Sequence, residues 1–434
     1  MNYRFLDFLF SWIFPTKRDR RKFRRLCRTI DNRKTTKQVQ LRYKRILNNR
    51  PPKDKYNVVF LVNEISKWKY QSLYDAMKNS KKYYPIIVLT IADIQNKLAI
   101  EDKKKIIEKS IKFFKMKNMD VRVKYDLTSN KALPLKDLNP DIVFYQQPYD
   151  LSKNQAPLEI SKYAITAYVP YYLPDFRNLE LDCEADFHHK LYRYYVLNEE
   201  LKQEYEEHFQ EINEYSGNLK AVGHTMLDLF KENQEFDDNG YVIYAPHWSI
   251  PLATNKNTIN ISTFDKNGMF ILNYAKMHPE INWVFKPHPT LKTALKRIGW
   301  TTESIENYYN EWNKIALVSY DSNYVDLFMK SKAMITDSGS FLLEYFVTGK
   351  PLLHLISDAA INMPHAQLKK YFDTFYEIRN NEELVKSIEN IILNKQDYKA
   401  DKRKILLENS AFIKENAAQN ILKDLDNIFE EAKE

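Results

Sequence analysis

Short apolar runs rich in Val, Ile and Tyr alternate with longer polar stretches along most of the chain. After Pro51 and Pro52, such runs predict strands at residues 58–62, 86–90, 121–125, 142–145, 165–169 and 194–197. A second series of predicted strands follows at residues 241–245, 283–286, 316–319, 333–336 and 352–355. Strands separated by segments of helix length are typical of parallel βαβ units. The pattern therefore predicts an α/β protein with two Rossmann-like domains.

The join between the two domains is expected near residues 217–240, where glycines cluster around an acidic stretch. We expect an N-terminal arm over residues 1–50, a first domain over 51–230 and a second domain over 231–400. Residues 401–434 contain a helical pattern with no strand after it, and we expect one long helix over 402–432 that packs back across the domain junction. The length of 434 residues agrees with two domains plus extensions.

The net charge of +9 is concentrated in the N-terminal arm. Residues 1–50 contain sixteen Lys or Arg and three Asp, so the rest of the chain is slightly acidic. An aromatic stretch at residues 3–14 precedes eight basic residues between 17 and 28, a combination that favours insertion into anionic lipid. We expect residues 1–28 to hold the protein on an anionic membrane surface at the cytoplasmic face. The alternative is a solvated arm that docks on the protein's own body or on another protein.

Several classes of function are disfavoured by what the sequence lacks. A nucleic-acid binder would carry its basic face on the folded domain, so we expect no nucleic-acid partner. The two cysteines, Cys27 and Cys183, form no disulfide framework and favour a reducing compartment. No G-x-G-x-x-G or Walker motif occurs, which disfavours NAD, FAD and P-loop chemistry. The scattered histidines show no paired metal-ligand spacing, so we expect neither a metal nor another cofactor.

The first candidate site is the Lys286-Pro287-His288-Pro289 segment, which follows a predicted strand. Each proline disfavours a helical conformation in the residue before it, so His288 should lie on a stiff loop. The carboxyl edge of an open α/β sheet is where ligands usually bind. We predict that His288 and Lys286 contact a phosphate and stabilise charge on a leaving group, with a structural turn as the alternative.

The second candidate is Asp337-Ser338-Gly339-Ser340, which also follows a predicted strand. The serines should begin a helix whose free backbone N–H groups bind a pyrophosphate. Glu344 lies one turn after Ser340 and could accept hydrogen bonds from ribose hydroxyls. Helix capping alone is the alternative reading of the serines.

Two further histidines lie in loops beside predicted strands. His247 follows the first strand of the second domain and is expected to face the interdomain cleft, with catalytic and structural roles equally open. His224 lies at the expected hinge, and there a structural role is favoured.

The motifs at residues 286–289 and 336–340, with Gly223-x-x-x-x-Asp228 and residues 244–248 upstream, resemble the CDP-glycerol glycerophosphotransferases. This family comprises transferases of teichoic-acid and capsule polymers, and the resemblance extends over about residues 140–370. It implies a GT-B fold, metal-independent transfer from a CDP-linked donor to a lipid-linked or polysaccharide acceptor, and attachment to the inner face of the cell membrane. By position, His288, Ser338 and Ser340 would contact the donor diphosphate and Glu344 the ribose.

Two departures from the family pattern bear on the chemistry. The family commonly reads Asp-Tyr-Ser-Ser where this chain has Gly339 in the third position. Its His-Gly-Thr motif, which supplies a proposed catalytic base, corresponds here to residues 164–174, which contain neither histidine nor glycine. His188 and His189 are the nearest substitutes, and His189 joins His288 and His247 as a candidate catalytic residue. A solvent-exposed histidine pair on a helix is the alternative.

Asp337 through Glu344 to Gly349-Lys350-Pro351 is also similar to the UDP-binding motif of UDP-N-acetylglucosamine 2-epimerases and some GT-B glycosyltransferases. We expect transfer of glycerol phosphate, or a related alditol phosphate, from a CDP-linked donor. A UDP-sugar-using enzyme is the alternative, and a non-enzymatic adaptor is a third possibility. The transferase interpretation requires the His288 loop and the Ser338 turn to converge on one diphosphate.

Overall fold

Two parallel β-sheets form the framework of the computed structural model. The structure describes residues 17–51, 53–92, 95, 97–183, 187–212, 214–232, 240–251, 260–320, 324–358 and 364–431. Helices cover both sheets, and every pairing within the two sheets is parallel. The predicted α/β class with two Rossmann-like units is confirmed.

The first sheet has seven strands in the order β3-β2-β1-β6-β7-β8-β9. Its strands are β1 (Tyr56–Val62), β2 (Tyr83–Leu89), β3 (Val121–Val123), β6 (Ile142–Tyr145), β7 (Ile165–Tyr168), β8 (Arg193–Val196) and β9 (Leu219–Ala221). A separate antiparallel pair consists of β4 (Tyr125–Asp126) and β5 (Lys131–Ala132). The accompanying helices are α1 (Lys17–Asn48), α2 (Gln71–Asn79), α3 (Ile100–Met116), α4 (Pro157–Ile160), α5 (Leu179–Asp182), α6 (Glu199–Glu211) and α7 (Thr225–Glu232).

The second sheet has six strands in the order β12-β11-β10-β13-β14-β15. Its strands are β10 (Tyr241–Ala245), β11 (Trp283–Phe285), β12 (Ala316–Val318), β13 (Ser331–Thr336), β14 (Leu352–Leu355) and β15 (Tyr376–Ile378). Its helices are α8 (Phe264–Met277), α9 (Leu291–Arg297), α10 (Thr302–Ile315), α11 (Val325–Met329), α12 (Leu342–Phe346), α13 (Lys369–Phe372) and α14 (Asn381–Ser387), the last continuing as a π-helix (Ile388–Leu393). Strand order reverses between β10 and β13, so a crevice for ligands opens at the carboxyl ends of these two strands.

The strand pattern of the sequence recovered every member of the two sheets except β9 and β15. The pattern did not predict β9 and β15, which are each three residues long and lie at a sheet edge. Each of the two has only two apolar residues, separated by Lys220 or Glu377, whereas the equally short edge strand β3 was recognised within the longer alternation at residues 121–125.

The C-terminal segment returns to the first domain, as expected, but not as one helix. It forms α15 (Ala400–Asn409), α16 (Ala411–Lys414) and α17 (Ala417–Glu431), with Ser410 and Glu415 extended between them. The carboxylate of Asp228 accepts hydrogen bonds from the backbone N–H groups of Ala417 and Ala418, both at 2.9 Å, and so fixes the start of α17. The break between α16 and α17 is therefore the place where the C-terminal segment is held against Asp228.

Helix α17 completes the core of the first domain. Its large buried apolar residues are Ile421, Leu425, Ile428 and Phe429. The Phe429 ring stacks on Tyr56 of β1, with ring centroids 4.0 Å apart. Gly223, with a φ of +89°, allows the close approach of this helix, because a Cβ there would lie 3.3 Å from the Cβ of Ala417.

The second half of α1, which we expected to belong to a separate arm over residues 1–50, packs on the first domain. Val39, Tyr43 and Leu47 of α1 are buried in the core of that domain, and the Tyr43 hydroxyl donates to the backbone oxygen of Lys190 at 2.7 Å. The domain limit predicted after residue 50 is thus wrong for the second half of α1, because its apolar face packs on the sheet. The aromatic stretch at residues 3–14 lies outside the described residues. No described helix combines the length and apolar character needed to cross a bilayer.

Candidate functional site

Three neighbouring strands of the second sheet carry the predicted motifs to one edge. His247 follows the end of β10, His288 follows β11, and Asp337 directly follows β13. β10 lies between β11 and β13, so the His288 loop and the Ser338 turn are separated by two strand spacings, about 10 Å. The arrangement brings both motifs to the crevice, with the His247 loop between them.

The Asp337 side chain connects the loops at this edge of the sheet through hydrogen bonds. It is 1% exposed, and its carboxylate accepts hydrogen bonds from the backbone N–H of His247 at 2.5 Å and of Thr263 at 2.6 Å. The Ser262 hydroxyl donates to the same carboxylate at 3.1 Å. Burial raises the pKa of Asp337 to about 6, and these hydrogen bonds limit the rise. The carboxylate thus positions the His247 loop and the start of α8, and a direct contact with nucleotide remains a prediction.

His247 and His288 form a neutral pair at the crevice. Their ring centroids are 5.1 Å apart at an interplanar angle of 67°. In each ring Nδ1 accepts a backbone N–H from two residues further on, Ser249 and Thr290 respectively, both at 3.2 Å. Since Nδ1 is an acceptor, the proton of each neutral ring lies on Nε2.

Burial lowers the pKa values of both histidines. The pKa of His247 falls to about 3, with a further contribution from His288. The pKa of His288 falls to about 4, with a further contribution from the ammonium of Lys286. At neutral pH both rings are therefore uncharged and each presents one Nε2–H donor, which suits an oxygen atom on phosphate.

A buried charge cluster joins the two domains beside this pair. The Lys286 ammonium lies 5.3 Å from the centroid of the Tyr324 ring, and the Lys69 ammonium of the first domain lies 4.8 Å from it. Lys69 also pairs with Glu344 at 3.0 Å, and Tyr324 donates to the same carboxylate. Glu344 is 1% exposed. Its predicted contact with ribose remains a prediction, and in this structure its carboxylate binds Lys69 and Tyr324.

The Ser338 turn differs from the expected start of an α-helix. Residues Gly339–Phe341 form a 3₁₀ turn, and α12 that follows is only five residues long. The backbone N–H of Ser338 donates to the hydroxyl of Thr336 at 2.9 Å, and Ser338 is buried whereas Ser340 is exposed. The expectation of a regular helix with a row of free N–H groups is therefore wrong, because the chain turns tightly after β13. The diphosphate contact predicted for Ser338, Gly339 and Ser340 remains a prediction.

Gly339 lies against a loop of the first domain. A Cβ at this position would lie 2.5 Å from a ring carbon of Phe176. The backbone of Phe176 also bridges to Pro364 of the second domain. A serine in place of Gly339 would collide with the Phe176 ring, which gives a physical reason for this departure from the family pattern.

His189 lies far from the other candidate residues. The turn His188–Lys190 precedes β8 and so lies at the amino edge of the first sheet, opposite the crevice. His189 is fully buried, its Nδ1 lies 3.2 Å from the backbone oxygen of Tyr215, and burial lowers its pKa to about 4. The expectation of a solvent-exposed histidine pair is wrong, and the structure does not bring His189 to the candidate site.

Three residues at the crevice were missed from the sequence, namely Lys69, Tyr324 and Asp175. Asp175 follows Pro174 in the loop after β7, and Lys69 lies between β1 and α2. Their positions after strands were the available signal, but their proximity to Glu344 depends on how the domains pack. In the described part of the chain, no group of three or more His, Cys, Asp or Glu side chains is arranged to hold a metal ion.

Residues 229–427 match the family model described as CDP-glycerol:poly(glycerophosphate) glycerophosphotransferase. No curated protein matches the chain.

Solved structures show what the fold resembles. UDP-GlcNAc 2-epimerase from Neisseria meningitidis, bound to UDP-GlcNAc, is 14% identical, with a TM-score of 0.53 over 86% of this chain and 100% of that one. MnaA from S. aureus with UDP is 14% identical, with a TM-score of 0.51 over 86% and 97%. A variant of the wall teichoic acid polymerase TagF is 13% identical, with a TM-score of 0.50 over 95% and 98%. At these identities the structures establish the GT-B type of fold.

Proposed function

We propose that this enzyme transfers glycerol phosphate, or a related alditol phosphate, from a CDP-linked donor. The proposal rests on the match between residues 229–427 and the CDP-glycerol glycerophosphotransferase family. The match agrees with the family resemblance stated from the motifs and supports a glycerophosphotransferase. The acceptor proposed is a lipid-linked or growing surface polysaccharide. The structural observation that supports a diphosphate-containing donor is the neutral pair of His247 and His288 at the strand-order reversal of the second sheet.

In the proposed reaction, an acceptor hydroxyl attacks the β-phosphorus of the donor. The new bond joins the acceptor oxygen to phosphorus, the bond to the bridging oxygen breaks, and its electron pair leaves with CMP. His288 and His247 donate their Nε2–H groups to diphosphate oxygens, and Lys286 adds positive charge beside them. The hydrogen bonds to both Nδ1 atoms hold the rings before the donor arrives, so little reorganisation is needed as charge develops.

Nucleotide selectivity tests the donor assignment. We expect CDP to raise the melting temperature of the purified protein and UDP to have little effect, because a bound ligand at a hundred times its Kd adds about 2.7 kcal/mol of stability. Products from a panel of CDP-linked donors, identified by mass spectrometry, then name the transferred group. Selective stabilisation by UDP or a UDP-sugar would instead favour the sugar-nucleotide alternative, and no response to any nucleotide would favour a binding protein without activity.

We also propose peripheral attachment to the inner face of the cell membrane through residues 1–28. The basic residues between 17 and 28 lie on α1, whose second half is fastened to the first domain by Val39, Tyr43 and Leu47. Attraction between such a cluster and anionic lipid is about 1 kcal/mol per basic residue near the surface and weakens with salt.

Liposome flotation measures this attachment. The full chain should float with vesicles containing phosphatidylglycerol and not with pure phosphatidylcholine, and added salt should reduce the floating fraction. A variant lacking residues 1–28 should stay in the dense fraction while keeping its response to CDP. Equal flotation of the truncated and full chains would contradict the proposal.

A further inference from the structure

We propose that Asp175 is the general base of this enzyme, taking the proton from the acceptor hydroxyl as that oxygen bonds to phosphorus. This inference rests on the proposed transfer reaction and names a residue for the one step that the candidate site leaves without a group. It assigns a catalytic part to the first domain, which would otherwise serve only to cover the donor.

The loop that carries Asp175 touches the turn at which the donor diphosphate is proposed to bind. Asp175 follows β7 at the carboxyl edge of the first sheet, and the next residue, Phe176, occupies the space above Gly339. The backbone bridge from Phe176 to Pro364 holds the loop in this place. The carboxyl group therefore lies beside the contact between the two domains where Phe176 of the first domain meets Gly339 of the second, which is called the seam below.

The carboxyl group of Asp175 is buried without a partner. The residue is 3% exposed, and neither carboxylate oxygen has a hydrogen-bond partner among the described residues. Within the part of the chain that the structure describes, one other buried carboxyl oxygen lacks a partner, and it belongs to Asp182, whose second oxygen binds Tyr172. An unpaired buried carboxylate is costly, so a position that keeps one points to a use outside the fold itself.

The surroundings of Asp175 favour its protonated form while the seam is closed. Burial raises its pKa well above the usual range, and the nearby negative charge of Glu344 adds to the rise. The backbone N–H of Leu343 opposes this only in part and makes no hydrogen bond of ordinary geometry with the carboxyl group. Tyr324 and Lys69 are the other titratable groups beside Glu344.

Entry of the acceptor would change the protonation state of Asp175. When the seam opens to admit the acceptor, water reaches the carboxyl group, its pKa falls towards the usual range, and the ionised form becomes available as a base. The carboxylate then takes the hydroxyl proton as the oxygen–phosphorus bond forms, while the electron pair of the broken bond leaves with CMP. The proton passes to solvent when the product departs.

The histidines of the first domain do not offer this function. His188 and His189 are buried at the opposite edge of the sheet. His224 is buried, and its Nε2 donates to the backbone oxygen of Pro170 at 2.8 Å. His208 lies on α6 and pairs with Glu211 at 3.8 Å. Asp175 therefore takes the place that a histidine of the first domain holds in the related family pattern.

The test uses the full chain with CDP-glycerol as donor and measures transfer and CDP binding separately. Asp175→Asn should lower kcat by about a hundredfold or more, the usual contribution of a general base, and leave the CDP-induced rise in melting temperature unchanged. Asp175→Glu should keep part of the rate and the acidic limb of the pH profile, which Asp175→Asn should lose. Added formate should restore part of the activity of Asp175→Ala in proportion to its concentration.

Asp182→Asn is the matched control, because Asp182 is also a buried carboxyl of the first domain, lying 3.8 Å from His365 of the second. It should keep the wild-type pH profile and gain nothing from formate. Stability provides a check on folding. A folded pKa above the unfolded value of about 3.9 means that stability falls as pH rises from about 4, so Asp175→Asn should be at least as stable as wild type at pH 8.

The outcomes separate this inference from the function on which it rests. Active wild type with a fully active Asp175→Asn, or with an Asp175→Ala that formate does not rescue, overturns the role of Asp175 and leaves the transfer reaction standing. Wild type that transfers nothing from any CDP-linked donor overturns the proposed function and the base together. Loss of rate with loss of CDP binding would also overturn the base, because it would show a structural role at the seam.

Discussion

Replacing His288 with alanine is expected to lower the turnover of a CDP-linked donor by about a hundredfold or more. The side chain contributes one preset Nε2–H donor at the crevice, its orientation fixed by the hydrogen bonds that Thr290 gives to Nδ1. Its lowered pKa, about 4, keeps this donor neutral at working pH, so turnover should show no step from His288 between pH 6 and 8. Steady-state kinetics with CDP-glycerol, measured across this range, checks both statements.

The control for this experiment is His278→Ala. His278 lies at the end of α8 and pairs with Glu280 on the surface of the same domain, at 2.7 Å. Its replacement should leave kcat within about twofold of wild type, in keeping with the small effects of surface substitutions. A His288→Ala variant with full turnover would contradict the phosphate role and leave the residue as a structural turn.

Replacing Lys69 with methionine is expected to lower the free energy of unfolding by about 3–5 kcal/mol. Methionine keeps much of the side-chain volume but leaves the buried carboxylate of Glu344 with Tyr324 alone. Because the pair joins the two domains, the loss should appear as a lower midpoint in urea unfolding. The double variant Lys69→Met/Glu344→Gln should recover part of this loss, since it leaves no unpaired charge.

Lys67→Met provides the comparison for this pair. Lys67 lies two residues earlier, and it pairs with Glu64, whose side chain is 37% exposed, and donates to Gln147 within its own domain. Its replacement should cost about 1 kcal/mol or less, as for other exposed pairs. Equal losses for Lys67→Met and Lys69→Met, or a double variant less stable than Lys69→Met alone, would show that the ion pair between the domains is not the cause.

The fold could be predicted from the sequence because its signals are local. Each strand of a parallel sheet is buried on both faces, so runs such as residues 58–62 are continuously apolar. The order of such runs and helices then fixes two parallel sheets. Only strands with too few apolar residues to form a run, such as Tyr376–Ile378, were missed.

The site was predictable where its residues follow strands of one sheet. His247, His288 and Asp337 follow adjacent strands, so their common edge could be inferred from the fold class alone. The parts that could not be predicted depend on contact between domains. Nothing in the sequence around Lys69 indicates that it reaches Glu344, which lies 275 residues away along the chain.

The error over His189 has a similar physical origin. Polar residues next to a strand can lie at either edge of the sheet, and only their order relative to the strand distinguishes the two. His189 precedes Arg193–Val196 and so lies at the edge opposite the crevice. Resemblance between motifs suggested that a base should lie in the first domain, but it did not indicate which edge to search.

The return of α17 to the first domain has a consequence for how the protein is made. The first domain buries Ile421, Leu425 and Phe429 from a segment that the ribosome adds roughly 350 residues after β1. Until that segment emerges, the apolar face around Tyr56 stays exposed to solvent. The first domain is therefore translated first but cannot complete its hydrophobic core before the second domain is made. The two halves must therefore mature together, and a nascent chain stalled before Ala417 should engage chaperones and resist proteases poorly.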